Sequence, residues 1–291
     1  AGFGKKVILF VCSLFVVILT LSLGASIHIR QVTESSGIVV KLAQPAVPKE
    51  FNPVLARSYY DFNVLCPVFD GLTARNYAKE IIPALAENWS VEGNKNWTIN
   101  LRSGVTWHDG VEFNASDVMF TWSSILEISV GSPYLGLYWK VFGSNESIQV
   151  TGKYQLKVYL PKPYPFFASI IMTGAIIPRH VLQSVPTADW KLHPFNVGGE
   201  YMVGSYKAYG PIGTGPYVFK GWDNVSMIAQ LSKHTGYWNG TRVDQIDDYY
   251  IKIYQNTDAV IAAYNAGEID IIDAQFKIQT RASEIAHGTL I

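Results

Sequence analysis

Charge is what this sequence has least of: Asp, Glu, Lys and Arg make up 16% of its 291 residues, against about 25% in an average soluble domain. The 23 basic and 23 acidic side chains cancel, so no basic surplus exists to neutralise phosphates, and nucleic acid is excluded as an expected partner. Cysteine is nearly absent as well. Cys12 lies in one apolar run and Cys66 in another, which leaves no disulfide framework and makes the core responsible for stability. The six histidines, at 28, 108, 180, 193, 234 and 287, contain no pair at helical spacing, and neither CxxC nor HExxH occurs. No metal site and no cofactor is therefore expected. There is no GxSxG elbow, and the glycines of GPIGTGPY match neither a dinucleotide fingerprint nor a phosphate loop, so that stretch reads as a turn launching a strand. Internal repeats and low-complexity segments are also missing.

What is present is apolar and aromatic. Hydrophobic residues reach 48%, enough for a large core in about two domains. The 17 tyrosines and 8 tryptophans exceed what a core readily takes, because each buried hydroxyl or indole nitrogen needs a partner, so some are expected on a recognition surface.

The N-terminus carries a run from Val7 to Ile29 without Asp, Glu, Lys or Arg, preceded by Lys5 and Lys6. About 20 apolar residues span a bilayer as a helix, and flanking lysines stay on the cytoplasmic side. Residues 1–30 are thus expected to be an uncleaved membrane anchor, 31–37 a polar tether, and the remainder to face the cell exterior. The competing reading is a signal segment whose cleavage leaves a secreted or periplasmic protein, but Leu23 to Ser26 form a poor cleavage site. Six Asn-x-Ser/Thr sequons follow, at Asn88, Asn96, Asn114, Asn145, Asn224 and Asn239, where roughly two would arise by chance. They are glycosylation candidates and favour an exported surface.

Past the tether the pattern is mixed α/β. GIVVKLAQ reads as a strand, residues 59–72 as a helix, and WTINLRSG, SIQVTGKYQLKVYL, YVFKGW, MIAQLSKH and DDYYIKIY as strands. Asn256 or Thr257 caps a helix DAVIAAYNA, Gly267 ends it, and EIDII starts another strand.

WHDGVEFNASDVMFTW, residues 107–122, is the stretch that most invites a chemical reading. Neighbouring residues such as His108 and Asp109 diverge by about 100° on a helix and point to opposite faces of a strand, so they seldom clasp one ion. A structural reading accounts for every polar group. Asp109 and Gly110 form a turn, Asn114 or Ser116 caps a helix, Asp117 suits its first turn, and Val118, Trp122 and Ile125 bury one face.

Those residues, with PALAENW (83–89), LRSGVTWHDGVEFNASDVMFTW (101–122), IIPRHVL (176–182), PIGTGPYVF (211–219) and AAYNAGEIDII (262–272), occur in an order that resembles the family 5 extracellular solute-binding proteins of ABC transporters, the oligopeptide, dipeptide and nickel-binding group. YYDFNVLCPVFDGL (59–72) matches a further segment of that pattern. The resemblance implies a periplasmic-binding-protein-like class II fold whose two lobes close on a ligand. It implies lobe I at 38–55 and 171–273, an inserted subdomain at 56–170, and the start of a crossing to lobe II at 274–291. Family members are roughly twice as long, so the sequence is expected to be a fragment without the second lobe. The expected function is capture of oligopeptides for the permease and ATPase subunits of an ABC importer, with an oligosaccharide or nickel-complex receptor as the alternative. A surface hydrolase using His108 and an acid is the enzyme alternative, and no catalytic residue is expected under the receptor reading. On the lobe I side, Tyr59, Tyr60, Asn63, Tyr138, Trp139 and Thr214 are the expected ligand contacts, because aromatic faces with a few polar groups grip both peptides and sugars.

Overall fold

A computed structural model describes residues 37–240 and 246–285. The expected anchor at 1–30 and residues 31–36 of the tether lie outside the described residues, and among those described no helix is long and apolar enough to cross a membrane. In chain order the main elements are β1 (Ile38–Gln44), α1 (Tyr59–Val68), β2 (Thr73–Arg75), β3 (Ile81–Pro83), β4 (Ala86–Glu92), β5 (Asn96–Leu101), α2 (Ala115–Leu126), α3 (Leu135–Phe142), β6 (Ile148–Gly152) and β7 (Gln155–Tyr159). They continue with α4 (Arg179–Leu182), α5 (Pro194–Val197), β8 (Glu200–Val203), β9 (Tyr206–Tyr209), β10 (Tyr217–Asp223), β11 (Ile228–Lys233), β12 (Ile246–Ile253), α6 (Thr257–Asn265) and β13 (Ile271–Ile272).

Two sheets dominate. The larger has the order β10-β11-β12-β1-β13, with β1 parallel to both of its neighbours and β10 to β12 antiparallel. A strand in that position is covered on both faces, which is why IVVKLAQ reads as an almost continuous apolar run. Leu42 joins the main core, while Ala43 on the opposite face joins a smaller cluster with Val260 and Ile261 of α6, Ile269, Phe276 and Ile278. The second sheet, β4-β5-β7-β6, is antiparallel throughout. Trp97, Ile99 and Leu101 alternate inward from β5 and share the main core with Val118, Trp122 and Ile125 of α2.

The helix expected over 59–72 ends at Val68. Pro67 removes a backbone donor in its last turn, Phe69 is extended at φ −120°, and Gly71 and Leu72 accept from Leu85, Ala84 and Ala86 instead of continuing the helix. The strand expected at WTINLRSG runs from Asn96 to Leu101, and EIDII contributes only Ile271 and Ile272 to pairing. At α6 the cap is Asn256, whose Oδ1 accepts from the Ala259 amide at 2.8 Å, and Gly267 takes φ +73°. Strands β2, β3, β4, β8 and β9 were not expected from the sequence. They are short or largely exposed, so their apolar alternation is weak.

Candidate functional site

The His108 segment folds as a turn that clamps a loop onto α1. Gly110, at φ +87°, closes the turn while Trp107 donates to the Val111 carbonyl and Gly110 to that of Trp107. Asp109 accepts from His180 Nε2 at 2.7 Å. The His108 ring holds the Gly213–Gly215 loop by both nitrogens: Nδ1 accepts from the Gly213 amide at 3.2 Å, which leaves Nε2 to donate to the Gly215 carbonyl at 3.0 Å. Burial, reinforced by neighbouring His234, lowers its pKa to about 3. A neutral imidazole with both nitrogens engaged would have to break this clamp to accept a substrate proton. The loop in turn meets the C-terminal end of α1, where Gly215 donates to the Val68 carbonyl at 2.9 Å. Asn114 is the α2 cap, accepting from the Ser116 amide, and Asp117 completes the capping box.

The other end of α1 is fixed by Asp61. Its buried carboxylate accepts from the amides of Lys49 at 2.7 Å, Ser58 at 2.9 Å and Arg57 at 3.1 Å, which ties the proline-rich segment after β1 to the helix start. Burial alone would raise this pKa. The backbone donors of Lys49, Ser58 and Arg57 and the Ser58 hydroxyl outweigh that effect, and it lies below the usual value.

With α1 fixed at both ends, its middle faces the carboxyl ends of the parallel strands. Asn63 Nδ2 donates to Gln44 Oε1 and to Asp273 Oδ2, each at 3.0 Å. Gln44 is the last residue of β1, and Asp273 directly follows β13. Asp273 also accepts from the Gln275 amide at 2.8 Å, and Gln44 donates to the Ala46 carbonyl. Tyr59, 55% exposed, and Tyr249 border this cluster. Burial and then the Asp273 charge raise the pKa of both, that of Tyr249 to about 12. The outer carboxyl end of parallel strands is where open α/β sheets place ligands.

On the adjacent stripe of α1, Phe62, Leu65 and Cys66 line a cleft of about 450 Å³ with Phe69 just past the helix, Arg75 and Gly174. Cys66 is a free, exposed cysteine.

The expected contacts divide into three places. Tyr59, Tyr60 and Asn63 share the first two turns of α1, and the two tyrosine rings meet edge to face at 5.9 Å. Tyr138 is buried against Phe142, which raises its pKa, whereas Trp139 beside it is 44% exposed on α3. Thr214 is buried and bonds Asp70 Oδ2 at 3.3 Å, a carboxylate that also accepts from Tyr237 and from Trp238 Nε1. Gln44, Asp273 and Tyr249 were not among the expected residues. For Gln44 and Asp273 the signal is a polar residue at or just past the end of an apolar strand, whereas Tyr249 lies within β12 and has no such mark.

The fold is a mixed α/β one with a polar cluster at the carboxyl ends of its parallel strands. Residues 80–287 match the model of the bacterial extracellular solute-binding proteins, family 5, and the chain belongs to that family. It is 25% identical over 276 residues to the periplasmic murein peptide-binding protein MppA of Escherichia coli, covering 90% of this chain and 48% of MppA. Its fold is similar to that of the oligopeptide-binding protein AppA of Bacillus subtilis, solved with a nonapeptide, at a TM-score of 0.74 and 23% identity over 86% of this chain and 46% of AppA. It is similar also to NikZ of Campylobacter jejuni in complex with Ni(L-His), at a TM-score of 0.68 and 24% identity over 84% of this chain and 45% of NikZ. The fold is thus the periplasmic-binding-protein-like α/β type, and the chain spans about half the length of the relatives it matches.

Proposed function

We propose that the protein is an exported receptor that captures oligopeptides and hands them to the permease and ATPase subunits of an ABC importer. The observation that carries this reading is the Gln44–Asn63–Asp273 cluster, a set of polar side chains from three distant segments at the carboxyl ends of parallel strands. The peptide ligands named for MppA and AppA support the substrate class. Tyr59, Tyr60, Asn63, Gln44, Tyr249 and Asp273 form the ligand-facing set on this chain, with Trp139 as an outlying aromatic. Tyr138 and Thr214 act from beneath, one in the core and the other through Asp70.

Residues 1–30 are proposed to anchor the protein on the outer face of the membrane, the alternative being release after signal cleavage. Residues 38–55 and 171–273 form lobe I around an insertion at 56–170, and 274–291 lead towards a second lobe. A nickel complex or an oligosaccharide is the second reading of the ligand, favoured by the similarity to NikZ and by the exposed ring of Tyr59.

Thermal denaturation of the complete protein against panels of peptides, oligosaccharides and nickel–histidine separates these readings. A ligand at 100 times its Kd adds about 2.7 kcal/mol to stability, a shift that is easily read. Peptides are expected to raise the Tm. A rise with oligosaccharides or nickel–histidine and none with peptides would assign the second reading.

A further inference from the structure

The outer face of the four-stranded sheet carries two sequons on paired strands, Asn88-Trp89-Ser90 on β4 and Asn96-Trp97-Thr98 on β5. Side chains two residues apart on a strand share a face, so each acceptor amide and its hydroxyl point outward while the tryptophan between them points in. The register puts all four on the same face, with Ser90 opposite Thr98, Asn88 opposite Asn100 and Glu92 opposite Asn96. Trp97 is 4% exposed and Trp89 packs on the same core, whereas Asn88, Ser90 and Asn96 are exposed.

A side-chain ladder crosses this face. Thr151 Oγ1 donates to Gln155 Oε1 at 2.8 Å, Gln155 Nε2 to Asn100 Oδ1 at 2.9 Å, and Asn100 Nδ2 to Asn88 Oδ1 at 2.7 Å. The ladder holds the Asn88 carbonyl towards β5 and leaves Nδ2, the atom a glycan joins, turned away from it. Asn114 is placed differently. It is half-buried at the α2 cap, its Oδ1 accepts from the Ser116 amide, its own amide donates to Asp117, and Ala115 within that sequon is fully buried.

We infer that Asn88 and Asn96 carry N-linked glycans and Asn114 does not, so that the outer face of β4-β5-β7-β6 is sugar-covered. The inference rests on export and is independent of which solute is bound. In the transfer, Nδ2 forms a bond to the anomeric carbon of a lipid-diphosphate-linked oligosaccharide. The anomeric C–O bond breaks, the lipid diphosphate leaves with the electron pair, and one amide proton passes to a base. The Asn88 carbonyl stays free to accept, so the ladder survives modification. Four residues of strand separate Asn88 from the partner of Asn96, about 13 Å, which gives each first sugar its own space.

The test is mass spectrometry of peptides from the protein purified from its own cells, with surface biotinylation of intact cells in parallel. Glycan mass is expected on the peptides containing Asn88 and Asn96 and bare mass on that containing Asn114. Ser90→Ala should remove the first glycan alone and Thr98→Ala the second alone. Bare mass at both Asn88 and Asn96 overturns the inference, and if that protein is biotinylated the export reading stands. Glycan on Asn114 as complete as on Asn88 overturns the selection between sequons.

Discussion

Asn63 and Asp273 are 210 residues apart in the chain and share a hydrogen bond of 3.0 Å, with Gln44 accepting from the same amide group. One side chain thus closes the distance between the first helix and the last strand. Replacing Asn63 with Ala removes the donor to Gln44 Oε1 and to Asp273 Oδ2, leaving Asp273 only the Gln275 amide at Oδ1, and an abandoned buried acceptor costs about 1–3 kcal/mol. Asn63→Asp should cost more, because it sets a second carboxylate against Asp273. Urea denaturation of the two variants beside the parent checks the order.

Asp61 makes stability depend on acid pH. Its folded pKa is lowered, so its contribution is fully present above the unfolded value and is lost as pH falls through the folded one. Asp61→Asn, which keeps the shape but not the charge, should lower the Tm at pH 6 and flatten the fall in Tm below about pH 4. Thermal scans across that range measure both effects.

His108 acts in a higher window. Its folded pKa of about 3 lies below the ordinary 6.5, so the unfolded chain binds the extra proton between those values. Stability from this residue is complete above about pH 6.5 and declines as pH falls towards 3. His108→Gln should lose about 1–3 kcal/mol at pH 7 with the clamp and show a shallower decline from pH 6.5 to 5. Denaturant midpoints at each pH test this.

Two glycines should respond differently to a methyl group. A Cβ at Gly213 would stand 1.8 Å from the Val68 carbonyl oxygen, so backbone must move. A Cβ at Gly104 meets open space and suffers only from φ +75°. Gly213→Ala is expected to cost about 3 kcal/mol or more, and Gly104→Ala about 1 kcal/mol. Their urea midpoints, measured side by side, decide whether the loop-to-helix contact is as tight as described.

The local features were those most legible in the sequence. The Asp109–Gly110 turn, the Asn114 and Asn256 caps and the inward face of α2 follow from residue chemistry within a few positions. The early stop of α1 at Val68 was missed because Leu72 continues an apolar pattern, and only the non-local pairing of Gly71 and Leu72 with residues 84–86 decides against helix. The strand-end site was half visible. Tyr59, Tyr60 and Asn63 lie in one short segment, but Gln44 and Asp273 join them only through the parallel pairing of β1 with the two-residue β13, which no local pattern announces. His108 drew attention as a chemical group, yet its partners, the backbone groups of Gly213 and Gly215, lie more than 100 positions away.

The most direct test of the account is calorimetric titration of the complete protein with oligopeptides, beside Asp273→Asn and Lys153→Ala, the latter in the turn between β6 and β7 of the four-stranded sheet, at an exposed ion pair with Glu112. Peptide binding by the parent, weakened about tenfold or more (1.4 kcal/mol) by Asp273→Asn and unchanged by Lys153→Ala, is the predicted result. Equal peptide affinity in all three proteins would contradict a binding site at the carboxyl ends of β1 and β13.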